Sequence, residues 1–494
     1  MYDSKPYYVT SPIYYVNGDP HIGHAYTTIL ADVAARYRRM MGHDVRFLTG
    51  TDEHGLKVQR AAEARGVEPQ QLADEVSESF RSLFDQLGLS YARFIRTTDE
   101  DHRSHVEEMV RRMDISEDLY KGTYAGWYSA SDEAYYDESE IADGVAVATG
   151  SSVEWVEEES YFFRLSKYQD RLLEWYTENP DFILPESRKN EVISFVKGGL
   201  QDLSVSRTSF DWGIPWPQDP KHVLYVWMDA LTSYLTGSDG WPVTTHIIGK
   251  DILRFHAVYW PAFLMSAGHA LPEHIVAHGW WLKGDVKMGK SRGNAIDPAP
   301  LIENYGATTL RYYLIRETPV SRDGRFSEDR MVSRYNAELA HNVGNLVTRT
   351  FSMVRSYLAS EIPANPGTKS NKGADLHLQK RWDATLDEYQ LRMGRYEFHK
   401  ALVAAMSFSR DVNGYLQDTK PWKLSATDNG RLVEVIYRTL DAIKLVASLL
   451  CPFIPEPSYA ILAAMGISNP NLEWGSLPRG PLGEYEVPFP RIEE

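Results

Sequence analysis

Apolar and polar positions along the chain switch between two periods. Tyr7-Tyr8-Val9-Thr10 reads as a buried strand ended by Ser11-Pro12, and Val45-Arg46-Phe47-Leu48-Thr49 as a second. Between them Tyr26, Ile29, Leu30, Val33, Tyr37, Met40 and Met41 recur at helical spacing, and Gly42 is placed to end the helix. Strand, helix, strand predicts a parallel βαβ unit, whose ligands gather at the carboxyl ends of the strands. Two further strands, Thr245–Ile248 and His274–His278, come more than two hundred residues later, so an insertion is predicted to split the sheet. The insertion opens with short Tyr- and Trp-rich segments and turns helical around Tyr168 to Tyr176. Beyond Glu328 the period is almost wholly helical, over Met331 to Leu358, Leu378 to Tyr415 and Arg431 to Leu450, before a Pro-rich tail from Ile467. The expected organisation is α/β with a split parallel sheet (1–114 and 221–328), an inserted domain (115–220), an all-α helical bundle (329–466) and a tail (467–494).

Composition narrows this picture. At roughly 150 residues per domain, 494 residues make about three domains, and 43% hydrophobic against 24% charged residues describe a packed protein. The single cysteine, Cys451, excludes an internal disulfide and a multi-cysteine zinc cage and points to a reducing, cytoplasmic setting. The chain enters its first strand without an apolar signal core, and its most apolar stretch, Ile443 to Ile454, is too short to span a bilayer. No membrane association is expected. The formal charge of −16 argues at first against a nucleic-acid partner. That charge is uneven, however: Thr98 to Ser160 holds eighteen acidic and four basic residues, while Glu338 to Asp411 holds ten basic and eight acidic ones.

Candidate chemistry lies at two places. His21-Ile22-Gly23-His24 falls between the first strand and its helix, where unpaired helix N–H groups, a glycine permitting close approach and two imidazoles suit a phosphate. Lys287-Met288-Gly289-Lys290-Ser291 follows the strand near His278 and describes a cationic loop able to close over a triphosphate. Separately, each also fits a surface turn or a solvated basic loop; their order within one split α/β domain is the specific signal. The pair resembles the HIGH and KMSKS signatures of class I aminoacyl-tRNA synthetases. Nearly end to end, through Thr49-Gly50-Thr51-Asp52-Glu53-His54-Gly55, Gly199 to Arg207, Tyr225 to Leu231 and Gly249 to His256, the chain resembles the methionyl-tRNA synthetases. One departure is Gly289, where the family signature usually has Ser.

The resemblance implies a Rossmann-like catalytic domain interrupted by a connective domain and followed by an anticodon-binding bundle. It implies activation of L-methionine by attack of its carboxylate on Mg2+-ATP, release of pyrophosphate, and transfer to the terminal ribose of tRNA(Met), initiator tRNA included. By the same resemblance His21, Gly23, His24, Lys287, Lys290 and Ser291 bind ATP, with both histidines and both lysines acting on the transition state. Ile13, Tyr15, Asp52, Trp227, Ala230, Leu231, Tyr234, Ile252, His256 and Trp260 hold methionine, Asp52 pairing with its ammonium. Trp227, Ala230, Leu231 and Tyr234, and likewise Ile252, His256 and Trp260, fall at helical spacing, which ordinary core packing also explains. An aromatic slot suits a thioether, since sulfur–aromatic contacts add ~0.3–1.5 kcal/mol.

In the bundle, Leu339, Val343, Leu346, Val347, Thr350, Val354 and Tyr357 define an apolar stripe, which puts Asn345 and Arg349 together on an exposed face. Trp422, in a loop between Lys420 and Lys423, fits a base-stacking platform or a partly buried anchor. In the family the matching Asn, Arg and Trp read the anticodon. Many members carry a zinc knuckle; around Trp127 to Asp132 no cysteine stands, and His102 and His105 lack thiolate company, so no structural zinc is expected. Another class I synthetase is disfavoured by the missing editing insertion and thiolate zinc site. A small-molecule nucleotidyltransferase leaves the helical third without purpose, and a non-catalytic tRNA-binding paralogue sits badly with both histidines and both lysines in place. A chain ending soon after the bundle points to a monomer.

Overall fold

The computed structural model describes residues 5–130, 134–136, 138–147, 149–288, 293–367 and 373–493. Its main sheet runs in the order β3 (Arg93–Arg96), β2 (Asp44–Asp52), β1 (Pro6–Tyr15), then the strands Thr245–Gly249, His274–His278 and Ile183–Leu184. All neighbours are parallel, with Thr10 opposite His246 at the centre. Chain order runs outward from β1 on one side and resumes beside it with Thr245–Gly249. This reversal leaves a crevice beyond the carboxyl ends of the two central strands.

Both faces of the sheet are covered, as a parallel sheet requires. The two-residue period divides the strands: Tyr7, Val9, Phe47, Ile247 and Val276 enter one apolar cluster, and Tyr8, Leu48, Ile248, Ile275 and Ala277 the other. On the first face lies α1 (Ile22–Met40), with Tyr26, Ile29, Leu30, Val33 and Tyr37 buried as its period predicts. Met41, assigned to the same stripe, is instead the exposed C-cap, followed by Gly42 at φ 86°. α2 (Leu56–Arg65) and α3 (Pro69–Gln86) complete this face, and α4 (Glu100–Ile115) packs on the other.

Two strands run further than the sequence predicts. β1 does not stop at Ser11-Pro12 but continues to Tyr15, because the pairing with β2 shifts register between Thr10 and Ile13 and so spares Pro12, which has no N–H, from the ladder. Ser11 Oγ spans the irregularity to Thr49 Oγ1 at 2.7 Å. β2 likewise reaches Asp52, opposite Tyr15.

Within 115–220, β4 (Leu119–Ser129) pairs antiparallel with Glu154–Phe163 along nearly its whole length, and the helices Gln169–Glu178 and Glu186–Lys197 follow. The segment does not stand wholly outside the sheet, since Ile183–Leu184 returns to form its edge. Beyond Glu328, the helix Glu328–Arg334 passes through wider π-helical turns over Tyr335–Gly344 into Asn345–Tyr357. The segment predicted as one helix from Leu378 to Tyr415 is two, Gly373–Gly394 and Phe398–Thr419. Tyr396 breaks it at φ 57°, held there by its hydroxyl 2.7 Å from Thr245 Oγ1 in the main sheet. Asn429–Leu450 and Pro455–Ala464 complete the helices, and the tail is clamped by Asn336, whose amide exchanges two 2.9 Å bonds with the backbone of Ile492.

The helical part does not have a core of its own; its buried side chains are continuous with those of α1 and α3. Buried Asp32 of α1 cements the junction, receiving Arg311 (2.6 Å), Arg36 (2.8 Å) and the Ser90 N–H (2.8 Å), while Arg311 also donates to the Phe453 carbonyl at 2.9 Å. Among the described residues no helix is long and apolar enough to cross a membrane.

Candidate active site

The crevice is framed on one side by the start of α1. His21 is the N-cap, with extended backbone (φ −134°), and its Nδ1 accepts the Gly23 N–H at 3.0 Å; His24 Nδ1 accepts the His21 N–H at 3.1 Å. This reciprocal cap uses imidazoles where a serine and a glutamate are usual. It has a chemical consequence: a ring that accepts at Nδ1 carries its proton on Nε2, so both histidines are held as donors. The rings stack at 3.8 Å, and a Cβ on residue 23 would meet His21 Cε1 at 2.8 Å, so glycine there leaves the His21 ring its place. His24 rests against Tyr14 and Phe80 (4.9 and 5.1 Å), while Thr27 Oγ1 lies 2.8 Å from His278 Nε2 at the end of the neighbouring strand.

The second signature is described only in part. Lys287 ends the strand Val286–Lys287, its backbone paired opposite Leu282 of Trp281–Lys283; its side chain, Gly289, Lys290 and Ser291 lie outside the described residues. The base of this loop is knitted to the crevice. Trp280 Nε1 donates to Asp251 Oδ1 (3.1 Å), Lys250 lies over the Trp280 ring (3.9 Å) and pairs with Asp323 (2.8 Å), and Ile22 N–H donates to Ile296 O (3.0 Å).

On the other side of β1 is an aromatic cluster. Ile13, Tyr15, Trp227, Leu231, Tyr234, Ile252 and Trp260 fall in one apolar cluster at the carboxyl edge of the sheet. Ala230 is buried on the same helix, Val226–Thr236, without joining that cluster. His256 enters by hydrogen bonds: its Nδ1 donates to the Ile252 carbonyl (2.9 Å) and its Nε2 accepts from Tyr234 Oη (2.7 Å). Behind it Trp260 Nε1 donates to His246 Nε2 (3.2 Å), leaving His246 Nδ1 to donate to Thr10 Oγ1 at 2.7 Å. Burial lowers His256 to about 4, drives His246 well below its ordinary value with help from the neighbouring His256, and raises Tyr234 well above its own. The group His246, His256 and Tyr234 is therefore polar but uncharged near neutral pH. The buried indole N–H of Trp227 has no hydrogen-bond partner among the described residues.

The sequence places Ile252, His256 and Trp260 on one face of a regular helix. The structure winds this stretch differently, through a 3₁₀ turn over Lys250–Ile252 and π turns over Phe255–Tyr259, before Trp260–Ala267. Pro261, whose ring crowds the carbonyl four residues back, explains the wider winding. Two participants escaped the sequence pattern. Phe255 stacks on Trp227 at 3.8 Å and 3°. Asp229 is buried between His54 (2.7 Å) and His102 (2.6 Å); burial raises its pKa, but the two imidazoles more than offset this and bring it to about 2. A carboxylate set in the apolar run Trp227-Met228-Asp229-Ala230-Leu231 was the available signal.

Asp52, the ammonium candidate, is buried at the end of β2, opposite Tyr15, and its carbonyl accepts Val16 N–H at 3.3 Å. Of the two histidines discounted as metal ligands, His102 is a satisfied core residue, bonded to Asp229 and Thr236, and exposed His105 caps the Asp101 carbonyl. Among the described residues one group has metal-ligand geometry, Glu159, Asp219 and His222. Its two carboxylates already hold Lys121 (3.0 and 2.9 Å), and Glu159 also holds Lys221 (2.7 Å).

In the helical part Arg349 and Trp422, far apart in sequence, meet: the guanidinium lies 5.6 Å from the indole centre, beside exposed Asn345. Trp422 is not in a loop but on the single turn Pro421–Leu424, started by Lys420 at φ 47°. The apolar stripe is buried as expected except Tyr357, which is 38% exposed at the helix end.

Comparison with known proteins agrees with this geometry. The family model "tRNA synthetases class I (M)" matches residues 7–144 and 136–351, and "Anticodon binding domain of methionyl tRNA ligase" matches residues 365–479. The methionine–tRNA ligase of Rickettsia bellii is 45% identical over 99% of this chain and 100% of its own length. That of Thermotoga maritima is 44% identical over 96% of this chain and 78% of its own. The Mycobacterium tuberculosis methionyl-tRNA synthetase in complex with methionyl-adenylate superposes with a TM-score of 0.94 at 46% identity, covering 99% of this chain and 100% of its own. Matched by both family models and along its whole length by these relatives, the chain belongs to the methionyl-tRNA synthetases, a family of class I aminoacyl-tRNA synthetases.

Proposed function

We infer that the chain is a methionine–tRNA ligase that joins L-methionine to ATP as methionyl-adenylate and then transfers it to the 3′-terminal ribose of tRNA(Met), initiator tRNA included, for protein synthesis in the cytoplasm. The observation that carries this reading is the pair of histidines at the start of α1, both accepting at Nδ1 and so donating from Nε2, set at the chain reversal of the sheet beside an aromatic cluster.

Each part has a role in the reaction. Asp52 pairs with the methionine ammonium, and the thioether lies among Ile13, Tyr15, Trp227, Ala230, Leu231, Tyr234, Ile252, His256 and Trp260. The substrate carboxylate then attacks the α-phosphorus of Mg2+-ATP. His21 and His24 donate from Nε2 to phosphate oxygens as charge builds there, and Lys287 and Lys290, with Ser291, close over the departing pyrophosphate. No covalent enzyme intermediate is needed, because positioning and electrostatic stabilisation act on the transition state alone. Asn345, Arg349 and Trp422 engage the anticodon. No structural zinc is part of this reading: the only cysteine, Cys451, is buried in the helical part, where burial raises its thiol to about 12 and disfavours the thiolate zinc prefers.

ATP–pyrophosphate exchange measured with each of the twenty amino acids tests the reading. Exchange is expected with methionine, and His24→Ala is expected to lower it ~10²–10³-fold with unchanged circular dichroism. Preference for another amino acid, or near-normal exchange by the variant, refutes it.

A further inference from the structure

The pocket is assembled from two halves of the chain that meet far from each other in sequence. Asp52 ends β2, whereas Trp227, Leu231 and Tyr234 stand on the helix Val226–Thr236. Asp229 joins them. It lies in the first turn of that helix, 1% exposed, and its two oxygens are divided between segments: Oδ2 is 2.7 Å from His54 Nδ1, two residues beyond Asp52, and Oδ1 is 2.6 Å from His102 Nε2 on α4. The far nitrogen of His102 returns to the same helix, 2.9 Å from Thr236 Oγ1.

The turn that follows Asp52 is held on its other side by independent contacts. Trp212 packs edge-on against the His54 ring (5.5 Å) and donates its Nε1 to the Glu53 carbonyl at 2.6 Å. The buried Glu53 carboxylate receives Arg96 (2.7 and 3.0 Å), Thr51 (2.7 Å) and Thr98 (2.5 Å). These contacts fasten the turn to the first half of the domain through Arg96 and Thr98 and to the inserted segment through Trp212, and the His54–Asp229 bond ties it to the helix that bears Trp227. Apolar packing permits sliding, but a buried carboxylate with both oxygens committed has directional partners and so sets distance and angle together.

We propose that Asp229 is a positioning residue for methionine activation: through His54 Nδ1 it sets Asp52, and hence the substrate ammonium, at the correct distance from the aromatic wall that receives the side chain. The proposal rests on the reading of Asp52 as ammonium partner in methionine activation. A misplaced Asp52 weakens capture of the amino acid and leaves the ATP side, built on α1 and the second signature, unaffected.

The test is exchange kinetics of the full-length chain, with Asp52→Asn as reference. Asp229→Asn is expected to raise the methionine KM at least tenfold while the ATP KM stays within twofold. His54→Ala should do the same. His54→Asn, whose amide nitrogen takes the place of Nδ1 and keeps the donor to Asp229, should restore the methionine KM to within threefold of wild type. This rescue distinguishes positioning from general loss of structure, because both His54 variants lose the imidazole and its contact with Trp212, and it remains decisive where Asp229→Asn fails to fold. A methionine KM for Asp229→Asn within twofold of wild type, an equal rise in the ATP KM, or no difference between His54→Asn and His54→Ala overturns the positioning role alone. A wild-type chain without methionine-dependent exchange, or an Asp52→Asn variant with a normal methionine KM, overturns the functional reading beneath it.

Discussion

His256 shows how burial can tune one residue against its neighbours. It donates to a backbone carbonyl and accepts from Tyr234, and burial outweighs both that carbonyl and the charge of Asp251, which favour its protonated form. Its folded pKa of about 4 lies below the ordinary histidine value, so as pH falls the unfolded chain takes up the proton first. The fold therefore loses nothing from this group above neutral pH and loses stability as pH drops from about 6.5 towards 4, by roughly 2 kcal/mol at pH 5. His246 and His278, both lowered chiefly by burial, act in the same direction. Chemical denaturation is expected to give a stability that is flat above pH 7 and falls below pH 6.5, with a shallower fall in His256→Gln; an unchanged slope in that variant counts against the assignment. His256 was named as a site candidate from the family pattern, but its neutrality was not legible there, because it comes from burial in the packed chain.

At the scale of elements, irregular winding decides what the regular periods could not. Ten π-helical residues end immediately before Asn345, yet Leu339 and Val343 within them are buried like Leu346 to Val354 in the following helix, so the stripe keeps its face across the wider turns. Asn345 and Arg349 still share a face because they stand one turn apart beyond the irregularity. The one-turn helix Pro421–Leu424 then brings Trp422 to Arg349, a contact no period predicts, since more than seventy residues separate them. The indole, 37% exposed, is open enough to stack a base, a contact worth ~1–3 kcal/mol. Trp422→Ala is expected to cut charging of tRNA(Met) at least tenfold while methionine-dependent exchange stays within twofold. Parallel loss of both activities would mean that the indole is a structural anchor and not a base platform.

The whole molecule places its charge unevenly. The stretch Thr98 to Ser160 contributes −14 of the total −16, and nine of its eighteen acidic residues stand on α4 and on the antiparallel pair Leu119–Ser129 and Glu154–Phe163. With a screening length near ~8 Å at physiological salt, a polyanion responds to nearby patches and not to the sum. Bound tRNA is expected to protect lysines of the helical part, Lys420 and Lys423 among them, from chemical modification and to leave Lys121 in the acidic stretch reactive. Protection of Lys121 instead would reverse this orientation. The shared core ties the two ends together: Asp32 on the signature helix pairs with Arg311, which also holds the Phe453 carbonyl at the end of the helical part.

The sequence by itself determined the βαβ unit, the helical character of the C-terminal third, the two signatures and the family, because periods of two and 3.6 residues and short motifs are written in neighbouring positions. Tertiary structure alone decided the rest. It carried β1 past Pro12 to Tyr15, returned Ile183–Leu184 to the sheet edge, merged the helical part with the core of α1, and seated Asp229 between His54 and His102. The partners in these contacts are brought together by burying apolar surface and satisfying buried polar groups, which depend on the packed chain as a whole and leave no local period to read.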